Sequence, residues 1–316
     1  MDSKDLNLAT ISEHLSTPEK ARCLLETILW PDGPVCPHCA GMNAHRMVSR
    51  EGSKNAVRDG LLKCRECQGK FTVKVGTIFE GSHIPLNKWL MAIFILCSAK
   101  KGISAKQLER SLGVTYKTAW FLAHRIRHGM SAGPLAELLK GTVEVDECYY
   151  GPKTHGKGFK SSSKSAVVAL VERETGLRRS VVMERLTANT LQAAVREHVA
   201  PGATLNTDEH AGYHALKADY KHKTVKHAKD AEGKREYHRV EADGEIVTTN
   251  FAESSFSLLR RGVFGAFHHI SRKHLGRYVG EFDFRWNSRK TSDGERTVLA
   301  IGGFAGKRLK YRDSSN

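Results

Sequence analysis

The stretch Gly141-Thr-Val-Glu-Val-Asp-Glu-Cys-Tyr-Tyr-Gly151 constrains the fold of this chain more than any other. Val143 and Val145 alternate with Glu144 and Asp146, the period-two pattern of a strand with one buried face and one polar face. An acid at the centre of such a strand is held still. Two more acids sit in firm settings far along the sequence. Asp208 follows the short apolar segment 203–207, and Glu253 lies in the first turns of a predicted helix, Asn250-Phe-Ala-Glu-Ser-Ser-Phe-Ser-Leu-Leu-Arg-Arg. Three converging carboxylates are able to hold two divalent cations, and hard oxygen ligands suit Mg²⁺ or Mn²⁺. A pair of such ions clamps the attacking and leaving oxygens of a phosphodiester.

The segments around these acids set the expected architecture. Residues 166–172 and 180–183 read as strands joined by a turn at Thr175-Gly176. Thr190 is the expected cap of a helix over 191–199, stopped by Pro201-Gly202, and a strand over 203–206 ends just before Asp208. The order β-β-β-α-β-α is the outline of an α/β, RNase H-like mixed sheet in which the first and fourth strands are neighbours. That neighbourhood brings Asp146 and Asp208 together, with the helix of Glu253 closing over them. Residues 219–249, rich in Lys and His, read as an insertion with a hairpin-like turn at Gly244. A Lys-, Gly- and Ser-rich loop after Gly151 carries Lys153, Lys157 and Lys160.

The N-terminal third carries different chemistry. Residues 11–30 have apolar positions at helical spacing, with Thr17-Pro18 as a helix start inside them. Cys36-Pro-His-Cys39 and Cys64-Arg-Glu-Cys67 are two Cys-x-x-Cys turns able to present four thiolates to one Zn²⁺. His38 and His45 are the alternative ligands. With four protein ligands the zinc is structural, and in a segment so poor in apolar residues it supplies much of the folding energy. Phe71, Val73, Val75 and Ile78 alternate as a last strand of the ribbon. Beyond Pro85 the period turns helical, with helices expected over 86–96, 105–112 and 116–127 and a glycine turn at Gly113-Val114. This is a helix-turn-helix pattern, with Tyr116, Lys117 and Thr118 facing a major groove and His124, Arg125 and Arg127 reaching phosphates. The competing reading is a three-helix bundle used for packing or dimerisation. The expected domains are 1–82 (N-terminal helix and zinc ribbon), 83–132 (helix-turn-helix), 138–295 (RNase H-like, with the insertion near 219–249) and a 296–316 tail.

Charge decides what the helices face. The 316 residues carry a formal charge of +16, spread along the whole length, which favours a polyanionic partner through phosphate contacts and counterion release. Seven cysteines, four of them in close pairs, fit metal binding in a reducing compartment better than disulfides. No run approaches the ~18 apolar residues of a membrane span. No basic segment leads into an apolar core at the N-terminus, so a cytoplasmic protein without a membrane partner is expected.

Taken jointly, these motifs resemble the IS1595-type insertion-sequence transposases with an ISXO2-like catalytic domain. The resemblance rests on Cys36/Cys39/Cys64/Cys67, on Lys70-Phe-Thr-Val-Lys-Val-Gly-Thr-Ile-Phe-Glu80, on Val143-Glu-Val-Asp-Glu and Asn206-Thr-Asp-Glu, and on residues 250–271. It implies a DDE triad, carried here by Asp146, Asp208 and Glu253, with Arg260 at a basic position where the family usually has Lys. Asn250 competes with Glu253 as third ligand. Cys148 and Gly151-Pro152 stand where Thr and Gly-Gly are usual. The resemblance further implies two Mg²⁺ or Mn²⁺ per active site, cleavage of element ends and strand transfer into target DNA. Its implied partners are double-stranded DNA, as terminal inverted repeats and target, and further copies of the chain on that DNA. Its implied place is the bacterial cytoplasm. Glu144, Glu147 and Glu209 are expected as surface acids or as acids behind the ligands. A regulator that only binds DNA, with a non-catalytic RNase H-like domain, is the alternative function.

Overall fold

The computed structural model describes residue 4 and residues 6–49, 56–131, 137–151, 164–226, 236–242 and 244–315. The chain divides into two compact units, one of residues 1–130 with 290–316 and the other of residues 131–289. The expected loop lysines 153, 157 and 160 lie outside the described residues.

The first unit opens with two helices where one amphipathic segment was expected, α1 (Leu8–His14) and α2 (Pro18–Leu29). The break falls at Thr17, whose hydroxyl accepts from the Lys20 N–H while Pro18 takes the first helical position, where its missing N–H removes nothing. Three short antiparallel strands follow: β1 (Ala44–Arg46), β2 (Leu62–Cys64) and β3 (Lys70–Phe71). Their core is small: Cys36, Leu62, Cys64 and Phe71, with Trp30, Ala44 and Val75 against it. The last strand stops at Phe71, and residues 73–76 and 78–80 form turns, contrary to the alternation expected through Ile78. Val73, Ile78 and Phe79 are nonetheless buried, so their apolar spacing reflects burial within turns rather than a pleat.

Three helices complete the expected trihelical segment: α3 (Leu86–Ser98), α4 (Ala105–Leu112) and α5 (Tyr116–Met130). Ser104 caps α4 through the Gln107 N–H, and Gly113 ends it at φ +58°, a left-handed conformation that favours glycine. Helix α5 starts at Thr115, whose hydroxyl accepts from the Thr118 N–H.

The second unit is built on a five-stranded sheet. Its strands are β4 (Thr142–Tyr150), β5 (Ser165–Glu172), β6 (Arg178–Met183), β7 (Thr204–Thr207) and β8 (Lys221–Thr224), in the spatial order β6-β5-β4-β7-β8. Strands β4, β5 and β6 are antiparallel neighbours, whereas β7 runs parallel to β4 and β8 parallel to β7. This is the mixed sheet expected of an RNase H-like domain. Helix α6 (Ala188–His198) makes the crossover from β6 to β7. Its cap is Thr187 rather than Thr190; Thr190 sits at the third helical position and completes a reciprocal capping box.

Residues 221–224 therefore belong to the sheet, and the segment read as an insertion from 219 supplies its edge strand. A short antiparallel pair follows, β9 (His238–Val240) with β10 (Ile246–Thr248), and Gly244 turns between them at φ +82°. Helices α7 (Asn250–Gly262) and α8 (Arg272–Asn287) then cover the sheet. Each face of the sheet has its own core. Val143, Val145, Val168, Leu170 and Leu205 pack with α6 residues Leu191 and Val195 on one side. Cys148, Val167 and Ala169 pack with Phe256 and Leu259 of α7 and Val279 and Phe282 of α8 on the other.

Arg178 ties that second face together although it is fully buried. Its Nε lies 3.0 Å from Asp283 Oδ1, its Nη1 donates to the Ser255 carbonyl, and its guanidinium lies over the Phe256 ring. After α8 the chain returns to the first unit through α9 (Asp293–Gly302), which packs on α2, α3 and α5, and ends in α10 (Arg312–Ser315). The segment expected as a tail from 296 is thus part of a core, with Phe304 fully buried.

Candidate active site

The parallel register between β4 and β7 builds the site. Thr142 pairs with Thr204, Val143 with Leu205 and Glu144 with Asn206. Carried two residues on, the same register sets Asp146 opposite Asp208, one position past the end of β7. Neighbouring strands lie about 4.8 Å apart, so the two acids meet by backbone geometry alone. Oxygen atoms of Asp146, Glu147 and Asp208 all lie within 4.8 Å of one another. Asp208 Oδ1 accepts the His210 N–H at 3.0 Å, and Asp146 Oδ1 accepts the Glu147 N–H at 2.9 Å.

This crowding shifts the protonation of the group. Burial pushes the Asp146 carboxyl up to about 7, and the charges of Glu147, Asp208 and Glu253 push it the same way against the one backbone hydrogen bond. Burial also raises Glu147, opposed by the hydroxyl of Tyr213, which donates to Glu147 Oε2 at 2.8 Å. Tyr213 is itself fully buried and held well above the usual phenol range. Glu253 stands in the first turn of α7, outside that triplet of acids, and its charge acts on Asp146 from there. Asn250, the first residue of the same helix, is exposed. Arg260, two turns further along, donates from Nη2 to Cys148 Sγ at 2.9 Å and feels the charge of Asp146.

Glu144 takes one of its two expected places, and Glu147 departs from expectation. Glu144, expected at the surface or behind the ligands, is fully buried. Its Oε1 accepts from Arg173 Nη2 at 2.8 Å, and its Oε2 accepts from the Phe251 N–H at 2.7 Å. Glu147 joins Asp146 and Asp208 despite its opposite place in the strand alternation. It lies at the height where β7 has ended, although β5 still pairs there, with Val168 opposite Glu147. Period-two patterning could not show this; its place directly after Asp146 was the only sequence signal.

In the first unit, the four cysteines form a second group. Their sulfur atoms lie within 4.8 Å of one another, with Cys36–Cys67 at 3.6 Å and Cys39–Cys64 at 3.7 Å. A zinc tetrahedron with Zn–S bonds of about 2.3 Å has edges of about 3.8 Å, so the donor set fits zinc. His38 and His45 are not members of this group.

The helix-turn-helix residues divide. Tyr116 and Lys117 are exposed and Thr118 is half-buried at the start of α5. Arg125 and Arg127, expected to reach phosphates, are buried, as is His124. From Leu122 onward α5 is enclosed, with Ile78 and Phe304 packed against Gly129. Arg125 donates to the Glu80 carbonyl at 2.6 Å and lies over the Trp89 ring, and burial lowers its guanidinium to about 10. These side chains bind the protein to itself, and a basic residue near the end of α5 is an insufficient sign of phosphate contact.

With this geometry in hand, two family models match the chain: an ISXO2-like transposase domain over residues 138–287 and a transposase zinc-ribbon domain over residues 16–70. The chain belongs to the IS1595-type transposases. A protein of Halobacterium salinarum, described as an uncharacterized protein in transposable element ISH50, is 29% identical over 286 residues, which is 84% of this transposase and 90% of the relative. A solved structure of a simian T-cell lymphotropic virus intasome in complex with PP2A regulatory subunit B56 gamma matches at a TM-score of 0.29 and 14% identity. That match covers 56% of this transposase and 63% of the other chain, less than two thirds of it. Among the described residues no helix is long and apolar enough to cross a membrane.

Two outcomes follow from the site. Chelation of zinc, or Cys36→Ser, removes the tetrahedral staple from a ribbon whose core is only a handful of side chains. Limited proteolysis then shows rapid cutting between residues 36 and 71 that added zinc reverses in the wild type; an unchanged digestion pattern contradicts a structural metal. The second outcome concerns Asp146. Its folded-state value of about 7 exceeds that of an unfolded carboxyl, so the folded chain keeps a proton that the unfolded chain has lost. Metal-free stability therefore falls as pH rises from about 4 towards 7. Asp146→Asn, neutral throughout, has no such loss. In EDTA it is more stable than wild type by about 1–3 kcal/mol at pH 8 and by almost nothing at pH 4, measured by urea denaturation. An equal gain at both values contradicts the shift.

Proposed function

We propose that this transposase binds the ends of its insertion sequence and carries out metal-dependent cleavage and strand transfer on DNA. The observation that supports this most is the convergence of Asp146 and Asp208 through the β4–β7 register, with Glu253 acting on Asp146 from α7. The donor set is all oxygen and carries several negative charges in a half-buried place, which suits hard divalent ions such as Mg²⁺ or Mn²⁺. Two bound ions there supply charge neutralisation and activation of water for phosphodiester chemistry.

In this reading Asp146, Asp208 and Glu253 would together hold the ions. Tyr213 orients Glu147 beside them through its hydroxyl. Arg260, fixed by Cys148, offers a positive charge on the α7 side of Asp146 for a non-bridging phosphate oxygen. Arginine presents a planar fork, so it reads two oxygens where lysine would act as a point charge. No covalent intermediate with the protein is needed. Positioning and charge neutralisation carry the rate, the freed 3′-hydroxyl attacking target DNA in the same place.

End recognition falls to the first unit. Tyr116, Lys117 and Thr118 at the exposed start of α5 take the place of major-groove readers, and the +16 charge adds the non-specific attraction. Zinc is structural, one per chain, and copies of the chain assemble on DNA to hold two ends.

A plasmid bearing the element and its flanking inverted repeats tests the reading. Asp146→Asn and Asp208→Asn each lower cleavage in Mg²⁺ or Mn²⁺ by about a thousandfold or more while end binding in a gel-shift assay stays within about twofold of wild type. Cleavage that survives either change, or that is lost together with binding, contradicts the assignment.

A further inference from the structure

Behind the three acids lies a polar contact that no role in ligation explains. Glu144 precedes Asp146 by two residues on the same face of β4, and it is completely buried. A buried carboxylate without compensation is expensive, so the groups around it are informative. Arg173, just past the end of β5, donates to Oε1 from both Nε (3.2 Å) and Nη2 (2.8 Å). The other oxygen accepts from the backbone N–H groups of Phe251 (2.7 Å) and Ala252 (3.3 Å), in the first turn of α7. Those N–H groups have no partner within the helix, and a negative charge beside them is favoured by the helix dipole. Arg173 reaches further, donating from Nη1 to the Ile246 carbonyl at 2.6 Å, on the strand that leads into α7.

The connection has a geometric consequence. Phe251 and Ala252 immediately precede Glu253, so the two Oε2 contacts fix the start of α7 against the strand that carries Asp146. Thr249, the residue before the helix, reinforces the arrangement by donating to Glu253 Oε1 at 3.4 Å. We propose that Glu144 and Arg173 form a positioning pair that sets the separation between Asp146 and Glu253. The pair touches neither metal nor DNA; it acts through the helix. This rests on the triad reading of the preceding subsection and extends it to the residues that hold the third ligand in place.

Glu144→Gln tests the pair with little change of shape. The amide keeps one acceptor oxygen where the carboxylate has two, so either Arg173 or the helix start loses its partner. Groups that orient ligands from behind contribute about 10–100-fold to metal affinity. The Mn²⁺ dissociation constant, taken from the Mn²⁺-dependent rise in thermal midpoint, therefore weakens about tenfold or more in Glu144→Gln. The Mn²⁺ concentration for half-maximal plasmid cleavage rises in parallel, and end binding in EDTA is unchanged.

Arg173→Lys keeps the charge but loses the forked contact, and it shifts both curves the same way by less. It also decides the matter if Glu144→Gln does not fold. Mn²⁺ curves that superimpose on wild type overturn the proposal, even where the metal-free midpoint drops, because a merely structural residue lowers stability without changing metal affinity. Asp146→Asn is run alongside. Wild-type Mn²⁺ binding and cleavage in that variant overturn the triad reading itself, whereas its failure together with an unshifted Glu144→Gln overturns only the positioning pair.

Discussion

Parallel pairing of β4 with β7 is the constraint on which the transposase domain depends. Three paired positions, from Thr142 opposite Thr204 to Glu144 opposite Asn206, determine where two acids 62 positions apart come to rest. Neither side chain has to search for the other. The arrangement is costly without a cation, because burial and the neighbouring carboxylates hold a proton on Asp146 to about pH 7. A site that favours protonation when empty and carboxylate when filled is poised to bind a divalent ion. The rest of the unit keeps the strands and α7 from relaxing away from that repulsion.

Two arginines, Arg178 fully buried and Arg173 half-buried, do much of that holding. Arg178 joins β6 to α7 and α8 through Asp283, Ser255 and the Phe256 ring. Arg173 joins the end of β5 to Glu144 and to the strand before α7. Both work from the face opposite α6, the face that carries Asp146. Breaking one partner of such a pair leaves an uncompensated buried charge, which is why these contacts keep position better than apolar packing does. The first unit solves a similar problem differently, with a handful of apolar residues and four sulfurs at zinc-like separations.

Much of this was legible in the residues. Alternation in β4, the apolar run of β5 and the placement of one acid within β4 and another just past β7 point to the sheet and to the meeting of Asp146 with Asp208. Spacing gives the four cysteines, and the serine, threonine and glycine signals give α4 and α5. What stayed hidden had physical reasons. Strand β8, Lys-His-Lys-Thr, has no apolar alternation because an edge strand is made by its pairing with β7 rather than by its own burial. Arg125 and Arg127 look like surface cations until packing encloses the second half of α5. Glu144 reads equally as a surface acid or as one behind the ligands, since its partners Arg173, Phe251 and Ala252 are 29 to 108 residues away. The return of 293–302 to the first unit has no local signature, because α9 takes its place from contacts with α2 and α3.

The most direct test of the central claim is to locate Mn²⁺ by its anomalous scattering in crystals of the full chain soaked with the ion. A peak is expected at bonding distance from carboxylate oxygens of both Asp146 and Asp208, absent from crystals of Asp146→Asn. Mn²⁺ bound elsewhere, or bound beside Asp208 with Asp146 left out of its coordination, would contradict it.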